Sequence, residues 1–467
     1  MSLQLIFHGG SQEVGRSCFE IRANGDRYLV DCGLKFHDRG YDYPAKVFES
    51  RALDGVFLSH AHMDHSGGLP FFEHYKMSCP IFCTKETQDI VKILLKDSLR
   101  ITKIKHACAA FTKMDLKHVF ADMSTVTFDG AHHFRKISYQ YFNAGHIQGS
   151  AAIKFIVDGT HILYTGDYNT QQTALCEGAK PEDWGHVDIL ISEATYGLRD
   201  HPERDEVEKE FLAKVDETLK RGGRVLIPVF AVGRAQEILI VLAKKKWKVP
   251  IYVDGMVKKV TNATLRGKTP GTRNLQKLAA LYKDVKRVKS EKQREAVADK
   301  PGIFVTTSGM LQGGPVMSYI KYWYDDPKSA VLLTGYQVQN TNGWHLDTEK
   351  TVLIDGIRKK AKCDVERFDF SAHLSRSEIE KTILQVKPKI TIFMHGAPDA
   401  VQSLQEWANQ HSRAYGPAVG DQIDVEDHAN ISHKRLYTAD DGYEFPEEHQ
   451  HGSTCTPAMY DDFEDDD

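Results

Sequence analysis

The chain has 467 residues, 41% hydrophobic and 27% charged, which suits a soluble protein of two or three domains and excludes a disordered or membrane-spanning class, since no stretch approaches the roughly 18 apolar residues of a span. Its net charge of −4 averages two opposed regions: residues 244–300 carry 17 Lys/Arg against 5 Asp/Glu, and residues 421–467 carry 15 Asp/Glu against 2 Lys/Arg. The eight cysteines (Cys18, Cys32, Cys79, Cys83, Cys108, Cys176, Cys363 and Cys455) are scattered with no CxxC pair, which argues against a disulfide framework and a Cys-type zinc finger and points to a reducing cytoplasm.

The N-terminus has no basic region ahead of an apolar run, so no secretory signal is expected. Short apolar or alternating runs at 4–8, 18–21, 27–31 and 55–59, separated by Gly, Asp and Asn, predict strands. A helical pattern follows at 85–99, then strands at 137–142, 152–157, 161–164 and 187–192, the signature of a layered α/β domain. The pattern changes at 206–221, an amphipathic helix stopped by Gly222-Gly223. A strand at 224–228, a helix at 233–246 and strands at 251–253, 303–306 and 330–335 predict a small parallel α/β unit over about 200–360. Residues 367–371, a helix at 376–385 and a strand at 390–394 resume the first style, so one domain is interrupted by another. The segment beyond about 425 lacks apolar periodicity and predicts a disordered acidic tail. Its His428, His433, His449 and His451 are read as solvated ahead of metal-binding.

The strongest chemical signal is Ser59-His60-Ala61-His62-Met63-Asp64-His65 after the strand at 55–58. In extended chain, residues two apart point the same way, so His60 and His62 converge on one point, and the turn through Asp64 presents a carboxylate and His65 toward a neighbouring one. Imidazole and carboxylate are suitable zinc ligands. Further ligands belong where strands end in loops: His146 in Ala144-Gly145-His146-Ile147-Gln148-Gly149-Ser150, Asp167 after the strand at 161–164, and His395 after the strand at 390–394. Each alone reads equally as a structural strand-end residue; together they complete two sites with a shared ligand.

His60-x-His62-x-Asp64-His65 with His146, Asp167 and Val30-Asp31-Cys32-Gly33 resembles the metallo-β-lactamase superfamily. Glu193 in Ser192-Glu193-Ala194-Thr195-Tyr196-Gly197, His373 in Ser371-Ala372-His373 and His395 in Met394-His395-Gly396 resemble the three extra motifs of its β-CASP branch. Gln12-Glu13-Val14-Gly15-Arg16-Ser17 and the run from Ile227 to Glu237 are similar to the RNA-cleaving subunit of the cleavage and polyadenylation specificity factor and its archaeal homologues, over about residues 1–425. Archaeal relatives often place RNA-binding KH domains ahead of the core. Here Leu3–Phe7 already reads as the first strand, so none is expected.

The resemblance implies a metallo-β-lactamase αββα sandwich with an inserted β-CASP α/β domain. The parts would be 1–199, the insert 200–362, the returning half 363–425 and the tail 426–467. It implies two Zn²⁺ ions, one held by His60, His62 and His146 and one by Asp64, His65 and His395, with Asp167 bridging. Asp31, which by itself reads as a strand-end turn acid, would orient a ligand imidazole by accepting its other N–H. Asp64 would take a proton from the nucleophile, and His373, oriented by Glu193, would protonate the leaving oxygen or bind the phosphate. The implied reaction is hydrolysis of single-stranded RNA, as endonuclease or 5′→3′ exonuclease, leaving 5′-phosphate and 3′-hydroxyl ends. His395 favours RNA, because DNA-processing relatives carry an aliphatic residue there. Dimers are common in the family, so a homodimer is open.

Substrate handling is expected in the insert. Thr306-Thr307-Ser308-Gly309-Met310 and Gln312-Gly313-Gly314 read as a phosphate cradle or as a plain turn. Arg234 reads as a phosphate contact or a surface salt bridge, Ser371 as a substrate-binding residue, and the 244–300 stretch as an electrostatic guide or as solvated helix faces. The Tyr336 ring is read as core packing ahead of base stacking. A DNA nuclease of the same fold, a small-molecule hydrolase such as a thioesterase, and a non-catalytic RNA-binding paralogue are the alternatives.

Overall fold

Alternation along Leu3–Gly9, Cys18–Ala23 and Asp26–Val30 sends Leu5, Phe7, Phe19, Ile21, Tyr28 and Val30 to one face, where all are buried. The computed structural model describes residues 3–37, 40–49, 52–104, 111–426 and 431–439. These strands form the middle of an eight-stranded sheet running Ile431–Arg435, Asp421–Val425, Leu3–Gly9, Cys18–Ala23, Asp26–Val30, Gly55–Phe57, Ile81–Cys83 and Met123–Thr125. A seven-stranded sheet runs Arg413–Tyr415, Ile390–Met394, Ile189–Glu193, Thr160–Tyr164, Ala151–Val157, Ile137–Asn143 and His132–Phe134. The inner faces share one core, with Phe19, Phe57 and Val30 meeting Phe155, Tyr164, Ile191 and Ile392. Helix Lys85–Ile104 covers the outer face of the first sheet, and helices Arg376–Val386 and Pro398–Ala408 that of the second. The result is an αββα sandwich.

Between Glu193 and Arg376 the chain builds a separate six-stranded parallel sheet, ordered Lys286–Arg287, Ile251–Asp254, Ile303–Thr306, Val225–Pro228, Ala330–Leu333 and Asp364–Arg367. Its inner strands are apolar and wholly buried, because helices cover both faces. This sheet corrects two readings. The run 367–371, expected to resume the first domain, follows the last inserted strand, Asp364–Arg367, so the insert's sheet continues past residue 362. Phe368 and Phe370 gave the run its alternation, but both rings pack on Phe211 of helix Arg204–Lys220, at 5.4 and 5.3 Å.

The boundary at 426 is also corrected. Ile431–Arg435 pairs antiparallel with Asp421–Val425 as an edge strand. Its side chains stay largely exposed, so it carries no apolar periodicity to read. His433 pairs with Asp421 at 2.9 Å, while His428, His449 and His451 lie outside the described residues.

Candidate metal centre

Strand Gly55–Phe57 delivers Ser59 and His60 to the rim of the sandwich, and one helical turn, Met63–Ser66, carries Asp64 and His65. The turn is fixed by its own carbonyls: Ser17 N donates to Asp64 O, Cys32 N to His65 O and Leu34 N to Met63 O, at 2.8–2.9 Å. Residue 33 must be glycine, since a Cβ there would sit 1.6 Å from Asp64 O. His146 arrives in the loop after Ile137–Asn143, where Gly145 is required twice over, by its φ of +73° and because a Cβ would meet Asn169 O at 2.2 Å. Asp167 follows Thr160–Tyr164, and His395 follows Ile390–Met394. Asp31 and His395 both hold left-handed backbone, φ +56° and +50°, a strained state that tertiary packing must enforce.

These residues meet. His62 Nδ1 lies 3.2 Å from His60 Nε2 and 3.1 Å from His146 Nε2. Asp167 Oδ2 faces that group, 3.6 Å from His60 Nε2 and 3.8 Å from His146 Nε2. Its Oδ1 faces the other, 3.4 Å from His65 Nε2 and 3.1 Å from His395 Nδ1, with His395 Nε2 3.3 Å from Asp64 Oδ2. The ligand atoms of His60, His62, His146 and Asp167 all fall within 4.8 Å of one another, as do those of Asp64, His65 and His395.

The protons point outward. His146 Nδ1 donates to Ala372 O at 2.9 Å and His65 Nδ1 to Asp31 Oδ2 at 2.8 Å. Ser59 Oγ donates to Asp31 Oδ2 at 2.7 Å, so it accepts from His60 Nδ1 at 3.1 Å. The inner nitrogens of His60 and His146 therefore present lone pairs toward each other and Asp167. Asp167 Oδ1 is buried without a hydrogen bond. Burial lowers the pKa of His60 and His146, keeping them neutral. Convergent lone pairs and a buried carboxylate with no proton between them repel unless a cation sits among them, so the donor set fits metal ions.

Beside the cluster, His373 Nδ1 donates to Glu193 Oε2 at 2.7 Å, and Glu193 is held by Tyr168 N (2.8 Å) and Thr195 Oγ1 (2.5 Å). Burial opposes the His373 imidazolium, but Glu193 and Asp167 outweigh it and push its pKa up to about 9. The His373 ring lies 4.6 Å from that of His146.

The expected substrate residues sit farther out. Arg234 opens helix Arg234–Leu242; its guanidinium is largely buried, pairs with Glu237 at 2.5 Å and leaves Nε without a partner. It is not a surface salt bridge. Ser308 Oγ donates to Gly313 O (3.1 Å) and Ser371 Oγ accepts from His373 N (3.1 Å), so both hydroxyls serve their own turns. Gly309 abuts Phe230 N, 3.0 Å from where its Cβ would be. The Tyr336 ring is 59% exposed and not core, because Gly335 and Gln337 take the inward positions.

Sequence reasoning missed Ser59, Tyr164, Thr195 and Arg204. Tyr164 OH donates to Asp31 at 2.9 Å, Thr195 Oγ1 links Glu193 to His395, and Arg204 Nη2 donates to Ser371 O at 2.6 Å. Ser59 and Thr195 each adjoin a motif residue, and a hydroxyl beside a ligand or acid was the available signal. Tyr164 and Arg204 had none.

Three family profiles match: "Beta-Casp domain" over residues 235–346, "Zn-dependent metallo-hydrolase RNA specificity domain" over 358–418, and "Anti-Pycsar protein Apyc1" over 8–190. The chain is 39% identical to a probable RNase (MJ4) of Methanocaldococcus jannaschii, over 91% of this chain and all of that one. It is 36% identical to an RNase J-like protein of the same organism, over 86% and 93%. It is 35% identical to the transcription termination factor FttA of that organism, over 84% and 67%. A crystal structure of a protein of unknown function from Enterococcus faecalis V583 shares the fold, with TM-score 0.57 at 16% identity over 91% of this chain and all of that one. The chain belongs to the β-CASP family of metallo-β-lactamase-fold ribonucleases, metal-binding hydrolases of RNA. Among the described residues no helix is long and apolar enough to cross a membrane.

Proposed function

We propose that this member of the family cuts single-stranded RNA with two zinc ions. His60, His62 and His146 would hold one, Asp64, His65 and His395 the other, and Asp167 both. The observation that carries the reading is the Asp167 carboxylate, whose Oδ2 faces one imidazole group and whose Oδ1 faces the other. When bound, such ions supply Lewis acidity for a phosphodiester and an activated water.

The chain's own groups do the rest. Asp31 fixes the tautomers of His65 directly and of His60 through Ser59. Asp64, 28% exposed, takes up the proton of the attacking water. His373, held as a cation by Glu193, gives a proton to the departing 3′ oxygen through Nε2, the nitrogen that Glu193 leaves free. Backbone N–H groups of Gly309, Met310, Gly313 and Gly314 donate to nothing among the described residues and offer an anion cradle, while Arg234 Nε and Arg204 Nη1 are unpartnered donors near Ser371. The cytoplasm is proposed as the setting on the six free, buried cysteines among the described residues.

The test is incubation of metal-analysed protein with end-labelled RNA, single-stranded DNA and a thioester. RNA is cut, the others are not, and Asp64→Ala is inactive. RNAs bearing 5′-phosphate, 5′-hydroxyl and no free end separate exonuclease from endonuclease by their product ladders. Cleavage of DNA as fast as RNA, or protein free of transition metal that cuts at full rate, overturns the reading.

A further inference from the structure

In an open parallel sheet the chain leaves every strand at its carboxyl edge, and the loops there line a crevice. In the inserted domain three neighbouring strands, Ile303–Thr306, Val225–Pro228 and Ala330–Leu333, release loops 307–315, 229–233 and 334–341 side by side. The middle loop packs on the loop that carries His146: a Cβ on Gly233 would lie 2.6 Å from the Ile147 side chain. The three loops are tied together. Gly335 lies against the Phe230 ring, 3.0 Å from where its Cβ would be, and Gln337 Nε2 donates to Gly309 O (3.2 Å) and Gly335 O (3.1 Å). Tyr336 is therefore pinned on both sides, with Gly335 at Phe230 and the Gln337 side chain only 3% exposed.

Its ring nonetheless points out, 59% exposed, and makes no ring or cation contact among the described residues. Exposed apolar area gains nothing from folding, and a loop pinned at both neighbours cannot tuck the ring away. The same layer carries the N–H groups of Gly309, Met310, Gly313 and Gly314, which have no protein acceptor among the described residues. Backbone donors for a phosphate and an open aromatic face, joined by Gln337, are the two elements that bind single-stranded nucleic acid.

We propose that Tyr336 is a base-stacking platform for the nucleotide whose phosphate sits in the 309–314 cradle. This rests on the RNA-cleaving reading above. Every base has a π-face, so the contact holds the strand without selecting sequence. The phenol is incidental and the ring is what matters.

The experiment compares Tyr336→Ala, Tyr336→Phe and the unaltered metal-loaded chain. The substrates are an RNA oligonucleotide, the same RNA with one abasic ribose moved along it, and methyl p-nitrophenyl phosphate, a diester too short to span cradle and centre. Tyr336→Ala should lower kcat/KM on RNA about ten-fold, the loss expected for one stacked base. Tyr336→Phe should match the unaltered chain, and all three should hydrolyse the small diester equally. One abasic position should cost the unaltered chain about the same factor and cost Tyr336→Ala nothing. The proposal is overturned if Tyr336→Ala cuts RNA normally, if Tyr336→Phe fails as badly as Tyr336→Ala, or if the small diester falls in step with RNA. An unaltered chain that hydrolyses the small diester but not RNA removes the ribonuclease reading itself, and the platform with it.

Discussion

Asp31 accepts four hydrogen bonds, from Ser59 N, Ser59 Oγ, His65 Nδ1 and Tyr164 OH, at 2.7–2.9 Å. One carboxylate thus sets the proton positions of an imidazole in each metal group. Asp31→Asn swaps one accepting oxygen for an N–H that faces donors, so the imidazole protons lose their fixed outward direction. The expected result is a fall of about 10–100-fold in zinc affinity, read by competition with a chromophoric chelator. His373 acts differently, because its Nδ1 belongs to Glu193. His373→Asn should keep the full metal content by elemental analysis while RNA cleavage falls by about 10²–10⁴-fold. A loss of metal in that variant would move His373 from proton transfer to ligation. Of the residues that converge in the candidate centre, His60, His62, Asp64 and His65 stood out in the sequence because they are dense within six positions, whereas His146, Asp167 and His395 are single strand-end residues that stood out only together. Asp31 was legible only through the family likeness, since an acid ending a strand has many ordinary uses.

At the scale of elements, the outer face of the eight-stranded sheet carries a charged ladder. Glu20 is fully buried, with Oε1 accepting from Arg22 (2.5 Å) and Arg27 (2.7 Å), and Oε2 facing His8 (3.1 Å). His8 Nδ1 in turn meets Tyr437 OH at 2.5 Å, which ties the C-terminal edge to the first strand. Burial alone would raise the Glu20 pKa, but Arg27, His8 and Arg22 hold it well below the usual carboxylate range. A depressed folded pKa stabilises above the unfolded value, near about 4.3, and that contribution is lost as pH falls from there toward the folded pKa. Glu20→Gln should therefore lower stability by roughly 3–5 kcal/mol at pH 7, the range for breaking a buried ion pair. The gap to the unaltered chain should narrow below pH about 4, as urea midpoints at pH 7 and 3.5 will report. The elements that the sequence misplaced are those whose side chains do not announce their face. Ile431–Arg435 is polar and exposed, and pairs through backbone alone. Phe368 and Phe370 alternate like a strand, yet are buried by Phe211, a neighbour more than 150 positions earlier. Helix Lys85–Ile104 and strand Ile390–Met394 were legible because burial on one face, or on both, dictates an apolar pattern.

For the whole molecule, the question is what holds the inserted domain at a fixed height over the metal centre. One answer is Glu86, at the start of helix Lys85–Ile104 and only 4% exposed. Its Oε1 accepts from Lys268 N (2.7 Å) and Thr269 N (2.8 Å), and its Oε2 from Thr269 Oγ1. Gln148, two residues past His146, donates to Thr264 O at 3.1 Å. Farther along, Glu177 N donates to Gly271 O (2.8 Å) and Arg273 N to Leu175 O (2.7 Å). Segment 264–273 is thus stapled to the sandwich through polar groups, a contact between positions 182 apart that no local pattern encodes. Glu86→Ala leaves the Lys268 and Thr269 N–H groups without their shared acceptor, at a cost of about 1–3 kcal/mol each where buried. Amide exchange across 264–273 should rise, while strand Ala151–Val157 keeps its protection, because its hydrogen bonds lie inside the sandwich. Cleavage of long RNA, which must touch both domains, should fall more than hydrolysis of methyl p-nitrophenyl phosphate, which needs only the metal centre. If both fall together with no change in exchange, Glu86 acts on the centre locally and the staple does not set the domain's position.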